Sequence, residues 1–304
     1  NPFTNCANSS SWSSSVNGNG GTPGIENSLY DPSVIDPDFG VLLSEVVDSV
    51  TVQVIFTDNI FVTTSSQGTV SHDMGIIGTT LESNGNMLTV NLLSELEEAT
   101  IYNLNITDLN TCSGLDFNVS DVQFAIPEQG EKGDVIINEI LFNPFTGGVD
   151  FVELYNNSNK NIAIGSWALA NIENEIVANQ KNINPDGAYT LFAGDFILLS
   201  TTNTNILEEY PLAAVSNFWE MSTMPSYNNE EGSVVLISEN NQVYDQFDYN
   251  EDYHFELLNS VDGVSLERIF YNGPTNDPSN WHSAAESVGF ATPGYKNSQA
   301  KDPS

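Results

Sequence analysis

The sequence predicts an all-β protein made of two consecutive modules. Three observations predict it: short runs in which apolar and polar residues alternate, turn residues between those runs, and enough apolar content for two cores. The chain has 304 residues, of which 39% are hydrophobic, with 16 Phe, 11 Tyr and 4 Trp. That exceeds what one compact β domain needs and rules out a disordered acidic tail.

The alternation is clearest in the first half. Val50, Val52, Val54 and Phe56 recur at period two, which puts one apolar face on a strand over residues 49–56. Asn84-Gly85-Asn86 reads as a hairpin turn leading into a second alternating run, Leu88-Thr89-Val90-Asn91-Leu92. A third run over 100–107 sets Ile101, Leu104 and Ile106 among polar neighbours, and Val122–Ile126 closes the module before Pro127. About seven short strands between residues 36 and 127 is the pattern of a β-sandwich.

Residues 128–133 read as a charged, Gly-containing hinge. A second β region then runs over 134–299, with strands expected at 135–140, 150–155, 161–169, 196–200, 233–238, 243–249 and 264–270. Phe151, Val152, Leu154 and Tyr155 do not alternate, so that strand is expected to be covered on both faces. Trp167 beside Gly165-Ser166 reads as a core aromatic. The helical stretch 204–210 is too short to form a layer of its own. Residues 300–304 are a tail.

Residues 1–30 are rich in Ser, Asn and Gly, yet they repeat the far end of the chain. Trp12 followed by Thr22-Pro23-Gly24 and Asn27-Ser28 parallels Trp281 followed by Thr292-Pro293-Gly294 and Asn297-Ser298. The first copy is expected to be the closing segment of a truncated upstream repeat of the second module, joined by a linker. The opening at Asn1-Pro2-Phe3, without an initiator Met or a signal peptide, fits a piece of something longer.

Charge narrows the partners. Six Lys+Arg against 41 Asp+Glu give a formal net charge of −35. A chain so poor in cations cannot release the counterions of a polyanion, which excludes nucleic acid and argues against anionic membranes. No apolar stretch is long enough to span a bilayer. The bland reading of the acids is solubility. The specific one is calcium, for which Asp245, Asp248, Asn250, Glu251 and Asp252 offer a dense set of oxygens, without the spacing of a regular calcium loop. Asp31, Asp36 and Asp38 form a second, smaller acidic cluster. No other cofactor is expected.

His72, His254 and His282 have no metal-ligand spacing, and His254 between Tyr253 and Phe255 reads as a packed aromatic. Cys6 and Cys112 either form a disulfide or stand apart as small apolar side chains. Arg268 is the sole arginine and is expected to pair with a carboxylate such as Asp248 or Glu267. There is no nucleophile elbow and no Cys–His pairing, and carboxylates are too common for any pair to signal acid–base chemistry. The chain is therefore read as no enzyme.

Several motifs together resemble the bacterial lamin tail domain. They are Ile137-Asn138-Glu139-Ile140-Leu141, Asp150-Phe151-Val152-Glu153-Leu154-Tyr155-Asn156, Trp167-Ala168-Leu169, Gly263-Val264-Ser265-Leu266-Glu267-Arg268-Ile269, and Trp281 with the Thr292-Pro293-Gly294 ending. The 36–127 module is similar to bacterial Ig-like domains of surface-layer and adhesin proteins, through residues 102–108 and Cys112-Ser113-Gly114. These resemblances imply tandem Ig-like β-sandwiches, an Ig-like domain followed by a lamin-tail-type sandwich. Within them Trp12, Asn138, Glu139, Asp150, Glu153, Trp167, Arg268, Trp281, Pro293 and Gly294 are structural.

The function expected is a non-catalytic structural, adhesive or spacer module of an exported protein, secreted or at the surface of a Gram-negative bacterium. Its partners would be other proteins, surface glycans and neighbouring domains of the same chain. One alternative is a domain that localises a secreted nuclease or phosphoesterase. Another is a carbohydrate-binding module using Trp12, Trp219, Trp281, Tyr227 and Tyr271 as platforms.

Overall fold

The computed structural model describes residues 14–25, 27–28, 40–82, 85–111, 116–184 and 189–301. Cys6, Trp12, Asp31, Asp36, Asp38 and Cys112 lie outside the described residues. The chain divides into two compact units, Asn1–Ile126 and Pro127–Ser304.

Among the described residues the first unit holds seven strands in two antiparallel sheets. One sheet has the order β1 (Val41–Asp48), β2 (Thr51–Phe56), β5 (Met87–Leu92), β4 (Ile76–Leu81); the other runs β3 (Ile60–Val70), β6 (Tyr102–Thr111), β7 (Asp116–Phe124). The expected alternation becomes the core directly: Val52, Val54 and Phe56 from β2 and Leu88, Val90 and Leu92 from β5 are buried together. On β6 the inward face is Tyr102, Leu104 and Ile106, so Ile101 falls outside the strand and out of phase with its core face. The Gly85 turn takes φ +82°, open to glycine without strain, and Gly85 N–H donates to Glu82 O at 2.9 Å ahead of β5.

The second unit is a sandwich around a larger core. Its main sheet has six strands in the order β15 (Phe218–Glu220), β14 (Phe196–Ser200), β9 (Phe151–Asn156), β8 (Val135–Leu141), β18 (Leu266–Arg268), β19 (Trp281–Ser283). Within this sheet β14 and β15 pair in parallel. Facing it are β12 (Ile176–Asn182), β11 (Ala168–Glu173), β16 (Glu231–Ile237) and β17 (Val243–Asn250); β10 (Ile162–Ala163) and β13 (Thr190–Leu191) form a two-stranded ribbon. Val135, Ile137, Ile140, Val152, Leu154, Ile197 and Leu199 from the main sheet meet Trp167, Leu169, Val234, Leu236 and Phe247 in one core.

The other face of the six-stranded sheet is covered as well. Leu141, Phe151 and Leu198 pack there against Ile206, Tyr210 and Ala291. This explains the missing alternation at Phe151–Tyr155. The short helix α1 (Asn203–Glu209) therefore closes a core, since Ile206 is buried and Tyr210 Oη donates to Gly263 O at 2.8 Å. Residues 128–133, the expected hinge, make contacts within this unit. Glu128 N–H donates to Asn161 O at 2.6 Å, and Gly130 lies so close to Trp167 that a Cβ there would stand 3.2 Å from the indole.

Candidate functional site

The second unit buries a row of three glutamates, Glu139, Glu153 and Glu267. Its origin is local. The β8 residues Ile137 and Ile140 both face the core although three positions apart, because the pairing with β9 shifts between Ile137 and Glu139. The extra residue, Asn138, forms a β-bulge that turns Glu139 and Leu141 to the opposite face. Strand pairing then sets Glu139 directly opposite Glu153 on β9 and Glu267 on β18. All three are 0% exposed.

Like charges placed opposite each other in a sheet destabilise it, and buried charges cost several kcal/mol each unless compensated. The compensation comes from the segment after β19, which lays its donors across the row. Thr292 N–H donates to Glu139 Oε1 at 2.9 Å, and Gly294 N–H to Glu153 Oε2 at 2.6 Å. Ser298 Oγ and Gln299 N–H both donate to Glu267 Oε2 at 2.8 Å. Asn138 Nδ2 donates to Glu153 Oε1 at 2.8 Å and to Asn297 Oδ1 at 2.6 Å, while Asn297 Nδ2 returns bonds to the carbonyls of Asn138 and Arg268 at 3.0 Å. Ser265 Oγ adds a bond to Glu139 Oε1.

The geometry also requires a proton. Thr292 Oγ1 lies 2.9 Å from Glu139 Oε2 and 2.8 Å from Glu267 Oε1, but a hydroxyl has one hydrogen. One of the two contacts must be a carboxylic acid donating to the threonine oxygen. Burial, reinforced by the charge of Glu267, pushes Glu139 up to about 8, against the lowering effect of Ser265 and Thr292. Glu153 is raised well above the usual carboxylate range, by burial first and then by Glu139.

Arg268 lies across the sheet from this row. It does not pair with Asp248 or Glu267. Glu267 is its neighbour along β18 and, by the pleat, points to the opposite face. Asp248 sits three positions from Asp245 on β17 and faces away from the core, where it accepts from Ser233, Gln246 and Asn276. The partner is Asp245, with Arg268 Nη2 at 3.1 Å from Oδ2. The guanidinium also donates to Ile137 O, Gly273 O and Thr275 Oγ1. Arg268 lies over Trp281 at 5.4 Å, and Trp281 stacks on Phe247 at 3.7 Å. Burial lowers Arg268 to about 10, opposed by the Asp245 charge.

The expected calcium set does not come together. Asp245 is consumed by Arg268 and by Ile137 N–H at 2.9 Å, Asp248 is on the other face, and Asn250 caps the turn over Glu251 and Asp252. Period-two geometry separates what sequence proximity grouped. Among the described residues no group of three or more His, Cys, Asp or Glu is placed to hold a metal. Of the aromatic platforms, Trp281 and Tyr227 are buried, and Trp219 donates from Nε1 to Ile183 O at 2.8 Å. Tyr271 packs on Tyr155 at 4.5 Å, beside a cavity of about 270 Å³ also lined by Lys132, Tyr244 and Arg268. His254 is the packed aromatic expected, its ring tilted against Phe142 at 5.7 Å and its pKa lowered to about 4 by burial.

Trp167 is 1% exposed, Pro293 and Gly294 are buried, and Asp150 is half-buried and pushed up to about 7 by burial. The sequence named Asn138, Glu139 and Glu153 as structural but did not single out Glu267, Thr292, Asn297 or Ser298 as their partners. The Thr-Pro-Gly…Asn-Ser repeat was the available signal.

The second unit is thus a β-sandwich whose six-stranded sheet is covered on both faces and closed by the segment that follows β19. Residues 128–251 match the model of the Lamin Tail Domain family, so this part of the second unit is similar to a lamin tail domain. The match contains Asn138, Glu139 and Glu153 and stops short of Glu267 and the closing segment. Among solved structures, that of surface layer protein SbsC, domains 1-6, is similar over 65% of this chain at 11% identity and a TM-score of 0.25. This chain spans 39% of that one. No curated protein matches. Among the described residues no helix is long and apolar enough to cross a membrane.

Proposed function

We propose that this chain is a non-catalytic structural module of an exported cell-surface protein, one that engages other proteins or surface glycans. The observation that supports this reading is the occupied glutamate row. A catalytic carboxylate must reach a substrate, yet Glu139, Glu153 and Glu267 are sealed under Thr292, Gly294 and Ser298. Their acidity is spent on holding the sandwich shut. The acidic exterior suits a module that stays soluble and repels polyanions.

Two measurements test the proposal. An antibody against residues 127–304 should label intact cells of the source organism; labelling only after permeabilisation overturns the surface placement. The purified protein should turn over neither phosphodiester nor glycoside substrates. Turnover lost in Glu139→Gln would overturn the non-catalytic reading.

A further inference from the structure

Residues 14–25 with 27–28 fold as the closing segment does. Val16 N–H donates to Ser28 Oγ at 3.1 Å, twelve positions apart, and Ala285 N–H donates to Ser298 Oγ at 2.9 Å, thirteen apart. The turn Gly20 N–H to Asn17 O at 2.8 Å matches Gly289 N–H to Glu286 O at 3.0 Å. The turn Ile25 N–H to Thr22 O at 3.3 Å matches Tyr295 N–H to Thr292 O at 3.2 Å. The glycines agree too, with φ of +81° and +77° at Gly20 and Gly24 against +85° and +84° at Gly289 and Gly294. The one-residue difference falls where Gly21 replaces Phe290-Ala291.

What differs is the surroundings. Thr292 and Asn297 are buried against the glutamate row, and a Cβ at Gly294 would stand 2.5 Å from Ala214 O. In the first copy Pro23, Gly24 and Asn27 are exposed, Ile25 is 74% exposed, and a Cβ at Gly24 would meet nothing within 4 Å. The segment holds its shape through its own bonds while presenting the donors that in the second copy meet carboxylates.

We propose that residues 14–28 are the closing segment of a second lamin-tail-type unit, one that precedes them in the polypeptide. That unit carries its own cross-strand row of buried carboxylates. Thr22 takes the role of Thr292, Gly24 N–H that of Gly294, Asn27 that of Asn297, and Ser28 that of Ser298. The inference is independent of where the protein resides, since it rests on matched bonds and not on surface exposure.

The test is a graft within the full chain, replacing residues 285–298 by residues 16–28. The chimera should melt at least about 5 °C above one carrying the same residues shuffled. Thr22→Val inside the graft should lower its midpoint by as much as Thr292→Val lowers that of the unmodified chain. A chimera that fails to fold, melts with the shuffled control, or ignores Thr22→Val overturns the proposal. The mass of the unmodified chain in solution is the second measurement. A dimer abolished by Thr22→Val with Ser28→Ala would seat the segment in a second copy and overturn its assignment to a preceding unit.

Discussion

Glu139 and Glu153 face each other across two paired strands, both fully buried, with Asn138, Ser265, Thr292 and Gly294 supplying the hydrogen bonds to their carboxyls. A pair of acids in this setting is tolerated because backbone and side-chain donors take the place of cations around the carboxyls.

The first consequence is a pH dependence. Glu139 is raised from 4.5 to about 8, so the folded state keeps a proton that the unfolded chain releases. The stability this confers is complete below about 4.5 and is lost as pH rises through about 8, at up to about 1.4 kcal/mol per pH unit. Melting of the second unit should therefore fall between pH 6 and 8.5, and Glu139→Gln should flatten the fall. Parallel curves for the two proteins would remove Glu139 as the cause.

Thr292→Val keeps the shape of the side chain and removes the hydroxyl between Glu139 and Glu267. Two buried carboxyl oxygens then lose a partner, which should cost about 1–3 kcal/mol. Tryptophan fluorescence in denaturant reads this out, because Trp167, Trp219 and Trp281 all lie in the second unit. An unchanged midpoint would mean that the hydroxyl contributes nothing.

Arg268→Met should be the most damaging single change on the other face. It strands the buried Asp245 carboxylate together with the carbonyls of Ile137 and Gly273, at about 3–5 kcal/mol. Arg268→Lys should recover little, since one ammonium cannot span the same four acceptors. Full rescue by lysine in a thermal melt would contradict the fork geometry.

Gly294→Ala combines a left-handed φ of +84° with a Cβ placed 2.5 Å from Ala214 O. Its cost should exceed the roughly 1 kcal/mol expected of the backbone conformation alone. Urea unfolding of Gly294→Ala beside Gly24→Ala, where the space is open, separates the two contributions.

Much of this architecture is legible along the chain. Val52, Val54 and Phe56 announce a half-buried strand because alternation is a property of neighbouring residues, and the unbroken Phe151–Tyr155 run announces a strand covered twice. The inward phase of β6 is not legible in the same way, because Ile101 is as apolar as Tyr102 and it is the pairing of Tyr102 with Phe124 on β7 that goes with the buried face. The calcium grouping of Asp245 with Asp248 failed for a related reason: adjacency in sequence ignores the pleat.

The sequence by itself determined the all-β character, the extreme acidity, the Trp167 core anchor and the repeated Thr-Pro-Gly…Asn-Ser segment, all of which depend on local sterics and on partition from water. Only the tertiary structure decided that Glu139, Glu153 and Glu267 form one row, that Arg268 pairs with Asp245, and that Thr292 to Gln299 seal the row. Those relationships depend on a bulge at Asn138 and on the register of strands more than a hundred residues apart. Register is set by the collective packing of both sheet faces, and no short stretch of chain contains it.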